Sequence, residues 1–197
     1  MADSIPKAGS EGIAAVILAG GQGSRMGGAD KGLVAYRGRP LIDWMLDVMR
    51  TQVEQVIISA NRNLDTYAAY GHPVVADSLP GFQGPLAGVL AALQAADARW
   101  LAVVPCDTPH LPADLVARLL GAAQQAGVPL AVAADNERTH HSCFVVQTTQ
   151  REALASFLHG GERAVRHWMS SVPHVTVCFD AAAFANFNAL QDMPPAR

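Results

Sequence analysis

The sequence predicts an α/β protein built on one mainly parallel β-sheet, in three layers with helices on both faces. Residues 13–18 and 100–104 are continuous apolar runs, which are typical of strands buried on both faces. Helical segments alternate with these strands, as in successive βαβ units. The 197 residues are enough for one compact domain with its own core. We therefore expect a single Rossmann-like domain over residues 13–190, with a flexible tail at 1–12 and a frayed tail at 191–197.

The elements follow in order from apolar periodicity and from the placement of Gly and Pro. After the first strand and a glycine-rich loop, Pro40 opens an amphipathic helix over residues 41–53. The remaining strands are predicted at residues 56–59, 73–76, 100–104, 130–134, 143–147 and 175–179. The remaining helices are predicted at residues 65–70, 86–96, 111–125, 151–158 and 163–170. The segments after residue 130 alternate less regularly, and we expect them to add edge strands to the same sheet.

Composition excludes several classes of protein. The net charge of −3 and an aromatic content of 6% argue against a nucleic-acid binder. The three cysteines are odd in number and form no CxxC pair, which argues against disulfides and a zinc site. The polar amino terminus lacks the apolar segment of a secretory signal, and no apolar run reaches the ~18 residues needed to cross a bilayer. We expect a cytoplasmic protein without a membrane partner.

Ligands of open α/β sheets bind beyond the carboxyl ends of the strands. That rule selects four segments, at residues 19–32, 59–62, 77–78 and 105–107. The first of them contains six glycines, five of them before Lys31, together with Arg25 and Lys31. Glycines allow backbone N–H groups to approach a ligand closely, and the two cations balance negative charge, as a polyphosphate requires. The loop is neither a Walker A motif, because Asp30 and Gly32 flank the lysine, nor a dinucleotide fingerprint, because Met26 replaces the third glycine.

Asp107 follows the strand at residues 100–104, and two roles are open to it. A carboxylate at this end of the sheet is suited to Mg²⁺, which prefers oxygen ligands and bridges carboxylates to phosphates. The alternative is a cap or turn before the next helix. Its occurrence together with the glycine loop favours the metal role. His140 and His141 lie near Cys143, but neighbours on a strand point to opposite faces, so a shared metal ion is not favoured and the roles of the two histidines are open.

The segment LAGGxxxRMGGxDKGL resembles the opening signature of the molybdenum cofactor guanylyltransferase family, and PCDTPHLPADL resembles a second stretch of that family. The resemblance runs from residue 13 to about residue 188. It implies the fold of the nucleotide-diphospho-sugar transferases and transfer of GMP from GTP to molybdenum-molybdopterin, with release of pyrophosphate. It further implies a Mg²⁺ cofactor, GTP and molybdenum-molybdopterin as substrates, and apo-molybdoenzymes or their chaperones as partners.

The resemblance also assigns residues. Arg25, Lys31 and Asp107 are the implied catalytic residues, with Asp107 holding the metal. GTP binding is implied for Leu18, Ala19, Gly20, Gly21, Lys31, Ser59, Asn61, Asp77 and Asp107. The cofactor-substrate side is implied for Gly84, Pro85, Leu86, Asn186 and Asn188. The family commonly has Asn where this chain has Ser59, and it usually continues NxNTPxE where residues 189–192 here are Ala-Leu-Gln-Asp.

Three rival functions are weighed against this one. A related nucleotidyltransferase would use CTP, or a sugar-1-phosphate acceptor, on the same fold. A nicotinamide-dependent oxidoreductase would need the glycine that Met26 replaces. A non-catalytic carrier would bind GTP or the cofactor without releasing pyrophosphate. An assay with competing nucleotides separates the first, a titration with NAD the second, and pyrophosphate release the third.

Overall fold

A seven-stranded sheet forms the centre of the computed structural model, which describes residues 12–20, 30–77 and 84–187. The strand order is β5-β4-β1-β6-β8-β7-β9, and a separate two-stranded hairpin is formed by β2 and β3. In chain order the strands are β1 (Ile13–Leu18), β2 (Ala35–Tyr36), β3 (Arg39–Pro40), β4 (Gln55–Ser59), β5 (Val74–Val75), β6 (Trp100–Pro105), β7 (Leu130–Ala134), β8 (Thr139–Gln147) and β9 (His174–Cys178).

The sheet is mostly parallel. β1 pairs in parallel with both β4 and β6, β4 with β5, and β7 with β9. β8 is antiparallel to both of its neighbours, β6 and β7. The expectation that the segments after residue 130 would add edge strands is therefore correct for β9 but wrong for β7 and β8, which lie inside the sheet. Because β8 runs against β6, its first residues lie beside the carboxyl end of β6.

Helices cover both faces of the sheet, which confirms the three-layer prediction. The helices are α1 (Leu41–Arg50), α2 (Leu64–Ala68), α3 (Pro85–Ala95), α4 (Leu115–Ala126), α5 (Arg151–His159) and α6 (Val165–Ser170). One core packs α1 and α4 against the sheet and includes Ala15 and Ile17 of β1. The other packs α3, α5 and α6 against the opposite face and includes Ala14 and Val16. Alternate residues of β1 thus enter different cores, as a strand buried on both faces requires.

Several boundaries differ from the prediction. α1 ends at Arg50 rather than at residue 53, and α4 begins at Leu115 because residues 108–114 form turns before it. β8 begins at Thr139, four residues before its apolar part. The polar residues 139–142 also belong to the strand, and Thr139 pairs with Ala134 of β7. The β2–β3 hairpin was not predicted. Its turn places both Arg37 and Gly38 at positive φ, as a two-residue type I′ turn demands, but with Arg rather than the usual Asn or Asp first.

Candidate active site

A cavity of about 560 Å³ lies at the carboxyl edge of the sheet. Its walls come from the ends of four adjacent strands, in the order β5, β4, β1 and β6. This is the position that the topology of an open α/β sheet reserves for ligands. The lining includes Leu18, Ala19, Gly20, Lys31, Ser59, Asn61, Asp77, Gly84, Pro85, Gly88, Cys106, Asp107 and Asn186.

The floor of this cavity holds an ion pair between Lys31 and Asp107. Asp107 follows the end of β6 and its side chain is 7% exposed, whereas that of Lys31 is 22% exposed. A carboxylate so deeply buried needs a compensating charge, and the ammonium group provides it. The pair places a cation beside a carboxylate, which is the juxtaposition that the sequence predicted.

Lys31 begins a short 3₁₀ helix (Lys31–Leu33) whose preceding residue, Asp30, is fixed by two side chains. The hydroxyl of Tyr67 donates to Oδ1 of Asp30 at 2.5 Å, and Nδ2 of Asn63 donates to Oδ2 at 2.9 Å. Burial, together with the hydrogen bond to Asp30, raises the pKa of Tyr67, so its phenol remains a donor. Gly32 packs directly against this hydroxyl, where any larger residue would clash. The backbone at Lys31 is therefore held from α2.

The opposite end of the cavity is closed by a reciprocal pair of hydrogen bonds. Nδ2 of Asn61 donates to Oδ2 of Asp77, and the backbone N–H of Asp77 donates to Oδ1 of Asn61, both at 2.9 Å. Burial raises the pKa of Asp77, and the hydrogen bond from Asn61 opposes that rise. The pair joins the ends of β4 and β5, because Asn61 and Asp77 follow these strands closely. Gly20 faces the same amide, and a Cβ there would lie 3.2 Å from its nitrogen.

Ser59 lies at the end of β4 and is 2% exposed. A Cβ added at Gly88 would clash with its hydroxyl, so the small residue on α3 is what allows the helix to approach this strand. Ser59 is thus closely packed between the sheet and α3, at the wall of the cavity.

A second cavity, of about 300 Å³, adjoins the first. The two share Pro105, Asp107, Ser142 and Asn186. The second cavity lies over the beginning of β8, where Arg138, His140 and His141 add basic or titratable groups. Asp107 therefore lies at the boundary between a nucleotide-sized cavity and a smaller cavity that has more Arg and His side chains in its lining.

His140 is held in place from both sides within the second cavity. Its Nε2 lies 2.8 Å from Oδ2 of Asp135, and its ring stacks on that of Phe184 at 3.9 Å between centroids. Oδ1 of Asp135 accepts the backbone N–H groups of Glu137 and Arg138, each at 2.8 Å. These two bonds, with a smaller contribution from His140, lower the pKa of Asp135 to about 2. A permanently ionised carboxylate thus orients the imidazole. Burial and neighbouring basic groups, Arg166 first, lower the pKa of His141.

The described part of the site offers no activated cysteine. Burial raises the pKa of Cys106, and it raises that of Cys143 to about 12, so both remain neutral thiols. Among the described residues, no group of three or more His, Cys, Asp and Glu side chains is arranged to hold a metal ion. A covalent cysteine mechanism is therefore not supported.

Residues 15–175 match the family described as the MobA-like NTP transferase domain. The chain belongs to this family. A protein from Mannheimia succiniciproducens called molybdenum cofactor guanylyltransferase is 45% identical over 183 residues, covering 92% of this chain and 96% of its own length. A protein of the same name from Cupriavidus metallidurans is 44% identical over 187 residues, covering 92% of each chain.

Solved structures share the fold of this MobA-like NTP transferase. Molybdopterin-guanine dinucleotide biosynthesis protein A from Archaeoglobus fulgidus superposes with a TM-score of 0.76 at 21% identity, covering 91% of this chain and 94% of its own. The 2-C-methyl-D-erythritol 4-phosphate cytidylyltransferase from Thermus thermophilus superposes with a TM-score of 0.69 at 22% identity, covering 90% and 93%. The nucleotide-diphospho-sugar transferase fold implied by the sequence is thereby confirmed.

Most residues that the sequence assigned to the site lie around the first cavity. Leu86 does not, because its side chain is fully buried in the core between α3 and the sheet. Gly21, Arg25 and Asn188 lie outside the described residues. The individual ligand roles of the lining residues stay predictions.

Sequence reasoning did not identify the second cavity. Arg138, Ser142 and Phe184 were not singled out, and the roles of the two histidines were left open. A signal was present, because residues 138–142 are polar while residues 143–146 of β8 are apolar. That change indicates a strand that leaves the core at one end.

None of the described helices is long and apolar enough to cross a membrane.

Proposed function

We propose that this chain transfers GMP from GTP to the molybdenum-molybdopterin cofactor and releases pyrophosphate. The proposal is supported by the name shared by its relatives at 44–45% identity, which match nearly end to end. The structural observation that carries it is the ion pair of Lys31 and Asp107 at the boundary of two cavities. A transferase of this kind needs a nucleotide and an acceptor to meet at one charged point.

The first cavity suits a nucleoside triphosphate laid across the strand ends. Three strand spacings separate β5 from β6, a span of roughly 14 Å. The base would lie toward Asn61 and Asp77, and the phosphates toward Gly20, Lys31 and Asp107. Guanine carries N–H groups on its pairing edge that can donate hydrogen bonds to a carboxylate, so Asp77 is suited to recognise it. Lys31 would bind phosphate oxygens once a nucleotide is present.

The second cavity would receive the acceptor. An oxygen of the acceptor's terminal phosphate attacks the α-phosphorus of GTP and forms a new P–O bond. The bond between the α-phosphorus and the oxygen that bridges to the β-phosphorus breaks. Pyrophosphate leaves with the electron pair of that bond. Because the attacking phosphate oxygen is already ionised, no side chain has to remove a proton. The protein's contribution is then the alignment of the two substrates and the balancing of their charge, as in other phosphoryl-group transfers.

The residues present fit a magnesium ion. Mg²⁺ usually retains water and is bound through one or two carboxylates together with substrate phosphates, and Asp107 is a buried, ion-paired carboxylate of this kind. Asp107 would hold the ion, which supplies positive charge at the phosphates when bound. We further expect the protein to act in the cytoplasm and to pass its product to apo-molybdoenzymes or their chaperones.

The test is Asp107→Asn, which keeps the shape of the side chain but removes its charge. Pyrophosphate release from GTP with molybdenum-molybdopterin should fall to background, while the circular dichroism spectrum is retained. Asp47→Asn is the matched control, since Asp47 is an exposed carboxylate paired with Arg39, and it should keep full activity. Wild-type turnover in Asp107→Asn would refute the proposed site. A wild-type preference for CTP over GTP would favour the rival cytidylyl transfer.

A further inference from the structure

A small group of packed side chains lies apart from the two main cores, beside the active site. The rings of Tyr36 and Phe187 are 4.6 Å apart between centroids, and His110 meets both edge-on, at 5.9 Å and 6.2 Å. Tyr36 is 2% exposed and Phe187 is 7% exposed. We refer to Tyr36, His110 and Phe187 as the aromatic cluster. Leu41 completes its buried part, with Val34 and Trp44 packed at its side.

Each member of the aromatic cluster belongs to a segment that carries a candidate site residue. Tyr36 lies in the hairpin that follows Lys31, and His110 lies in the turn that follows Asp107. Phe187 comes directly after Asn186, which lines both cavities. The cluster therefore joins the three segments that supply the cation, the carboxylate and an amide to the boundary between the cavities.

Two hydrogen bonds reinforce this packing. The backbone N–H of Phe187 donates to the carbonyl oxygen of Asp107 at 3.2 Å, which ties the segment of Asn186 to the residue that faces Lys31. The hydroxyl of Tyr36 lies 3.2 Å from Nε2 of His110. Phe187 thus contacts the segments of Lys31 and Asp107 through its ring and bonds to that of Asp107 through its backbone. None of these contacts belongs to a helix or to the seven-stranded sheet.

We propose that Phe187 is a positioning residue, which sets the placement of Asp107 and Asn186 relative to Lys31. This inference rests on the proposed function. Catalysis by alignment is sensitive to small displacements, since a shift of about 1 Å can cost about 100-fold in rate. The contacts described for the aromatic cluster do not include Asn61 or Asp77, which follow β4 and β5. A disturbed cluster should therefore slow the transfer without weakening the capture of GTP.

The variant to compare with the wild type is Phe187→Leu, which keeps an apolar side chain but removes the ring. We expect kcat to fall about 10- to 100-fold while the KM for GTP is retained. Trp100→Leu is the matched control. Trp100 is 2% exposed and begins β6 at the end remote from Asp107, so its loss should lower stability but leave kcat unchanged. Phe187→Tyr retains the ring, so its kcat should lie much closer to the wild-type value than that of Phe187→Leu.

Amide hydrogen exchange provides a second measurement that needs no substrate. Phe187→Leu should lower the protection of the amide at 187 and of residues 31–36, whereas Trp100→Leu should not. Equal kcat values for Phe187→Leu and Trp100→Leu, or a failure of Phe187→Tyr to recover, would overturn the positioning role. If the wild type releases no pyrophosphate from GTP, the proposed function fails, and the exchange data still decide whether the aromatic cluster joins these segments.

Discussion

Lys31 and Asp107 form an ion pair at the floor of the first cavity, although one lies in the segment after β1 and the other follows β6. The pairing gives a carboxylate that is almost inaccessible to water a partner of opposite charge. A bound triphosphate would compete with Asp107 for the ammonium group, and a divalent ion would compete with Lys31 for the carboxylate. The two residues can therefore exchange partners on binding without leaving an isolated charge.

Replacing Lys31 with Ala should lower kcat/KM for GTP on the order of 100-fold, the cost of losing one preorganised charged contact in a transition state. Steady-state kinetics of pyrophosphate release measures the effect. Arg39→Ala removes an exposed cation that pairs with Asp43 and Asp47 on the surface, and it should leave turnover unchanged. A change of less than about twofold for Lys31→Ala would remove the lysine from the phosphate site.

Replacing Asp77 with Asn should weaken the discrimination in favour of guanine. The new carbonyl can still accept the hydrogen bond from Asn61, so the loop should retain its form. Loss of a charged acceptor costs about 1.5–3 kcal/mol, so the KM for GTP should rise about 10- to 150-fold with little change in kcat. Competition between GTP and CTP gives the selectivity directly. An unchanged GTP preference would assign guanine recognition to other residues.

Replacing Asp135 with Asn tests the carboxylate that orients His140. The pKa of Asp135 in the folded chain, about 2, lies below its ordinary value of 3.8, so its ionised form stabilises the folded state. That contribution is fully present above the ordinary value and is lost as the pH falls toward the folded value. Asp135→Asn should therefore have a lower Tm than the wild type near pH 7, and the difference should shrink between pH 3.8 and about 2. A difference that does not vary with pH would exclude this linkage.

Replacing Thr108 with Val should not destabilise the protein. The Thr108 hydroxyl is buried without a hydrogen-bond partner in the described part of the chain, so removing it relieves a desolvation cost of about 1 kcal/mol or more. Thr148→Val is the opposite case, because that hydroxyl bonds to the carbonyl oxygens of Ala98 and Arg99 at 3.0 Å and 3.1 Å. The free energy of unfolding of Thr148→Val should be lower than that of the wild type by about 1 kcal/mol. Urea denaturation of both variants provides the comparison, and a clear loss of stability in Thr108→Val would reveal a partner for that hydroxyl.

The sequence predicted the parallel half of the sheet well, because each of those strands is a short apolar run bounded by Gly, Pro or polar residues. Residues 13–18 and 130–134 are strands with the predicted bounds. The position and direction of β8 were not predictable in the same way. An apolar run states that a strand is buried, but it does not state which neighbours it pairs with or in which direction it runs.

The part of the site that lies at the carboxyl ends of parallel strands was predictable from the sequence. The part that depends on the antiparallel direction of β8 was not. Lys31, Asn61, Asp77 and Asp107 follow parallel strands, so one topological rule gathers them at one edge. His140 reaches the same edge from the beginning of an antiparallel strand, which that rule does not cover. The contact of Phe187 with Tyr36 depends on tertiary packing between distant segments, for which local periodicity contains no signal.

The reversed direction of β8 separates the two halves of the site in a way that matters for redesign. The turn between β7 and β8, at residues 135–138, borders only the smaller cavity, through Arg138, while the larger one is lined mainly by residues at the ends of β5, β4, β1 and β6. If the smaller cavity receives the acceptor, as proposed, exchanging or lengthening that turn would alter the choice of acceptor and leave Asn61 and Asp77, at the far end of the larger cavity, untouched. Under that assignment, a library of variants in this turn would change the range of acceptors separately from the range of nucleotides.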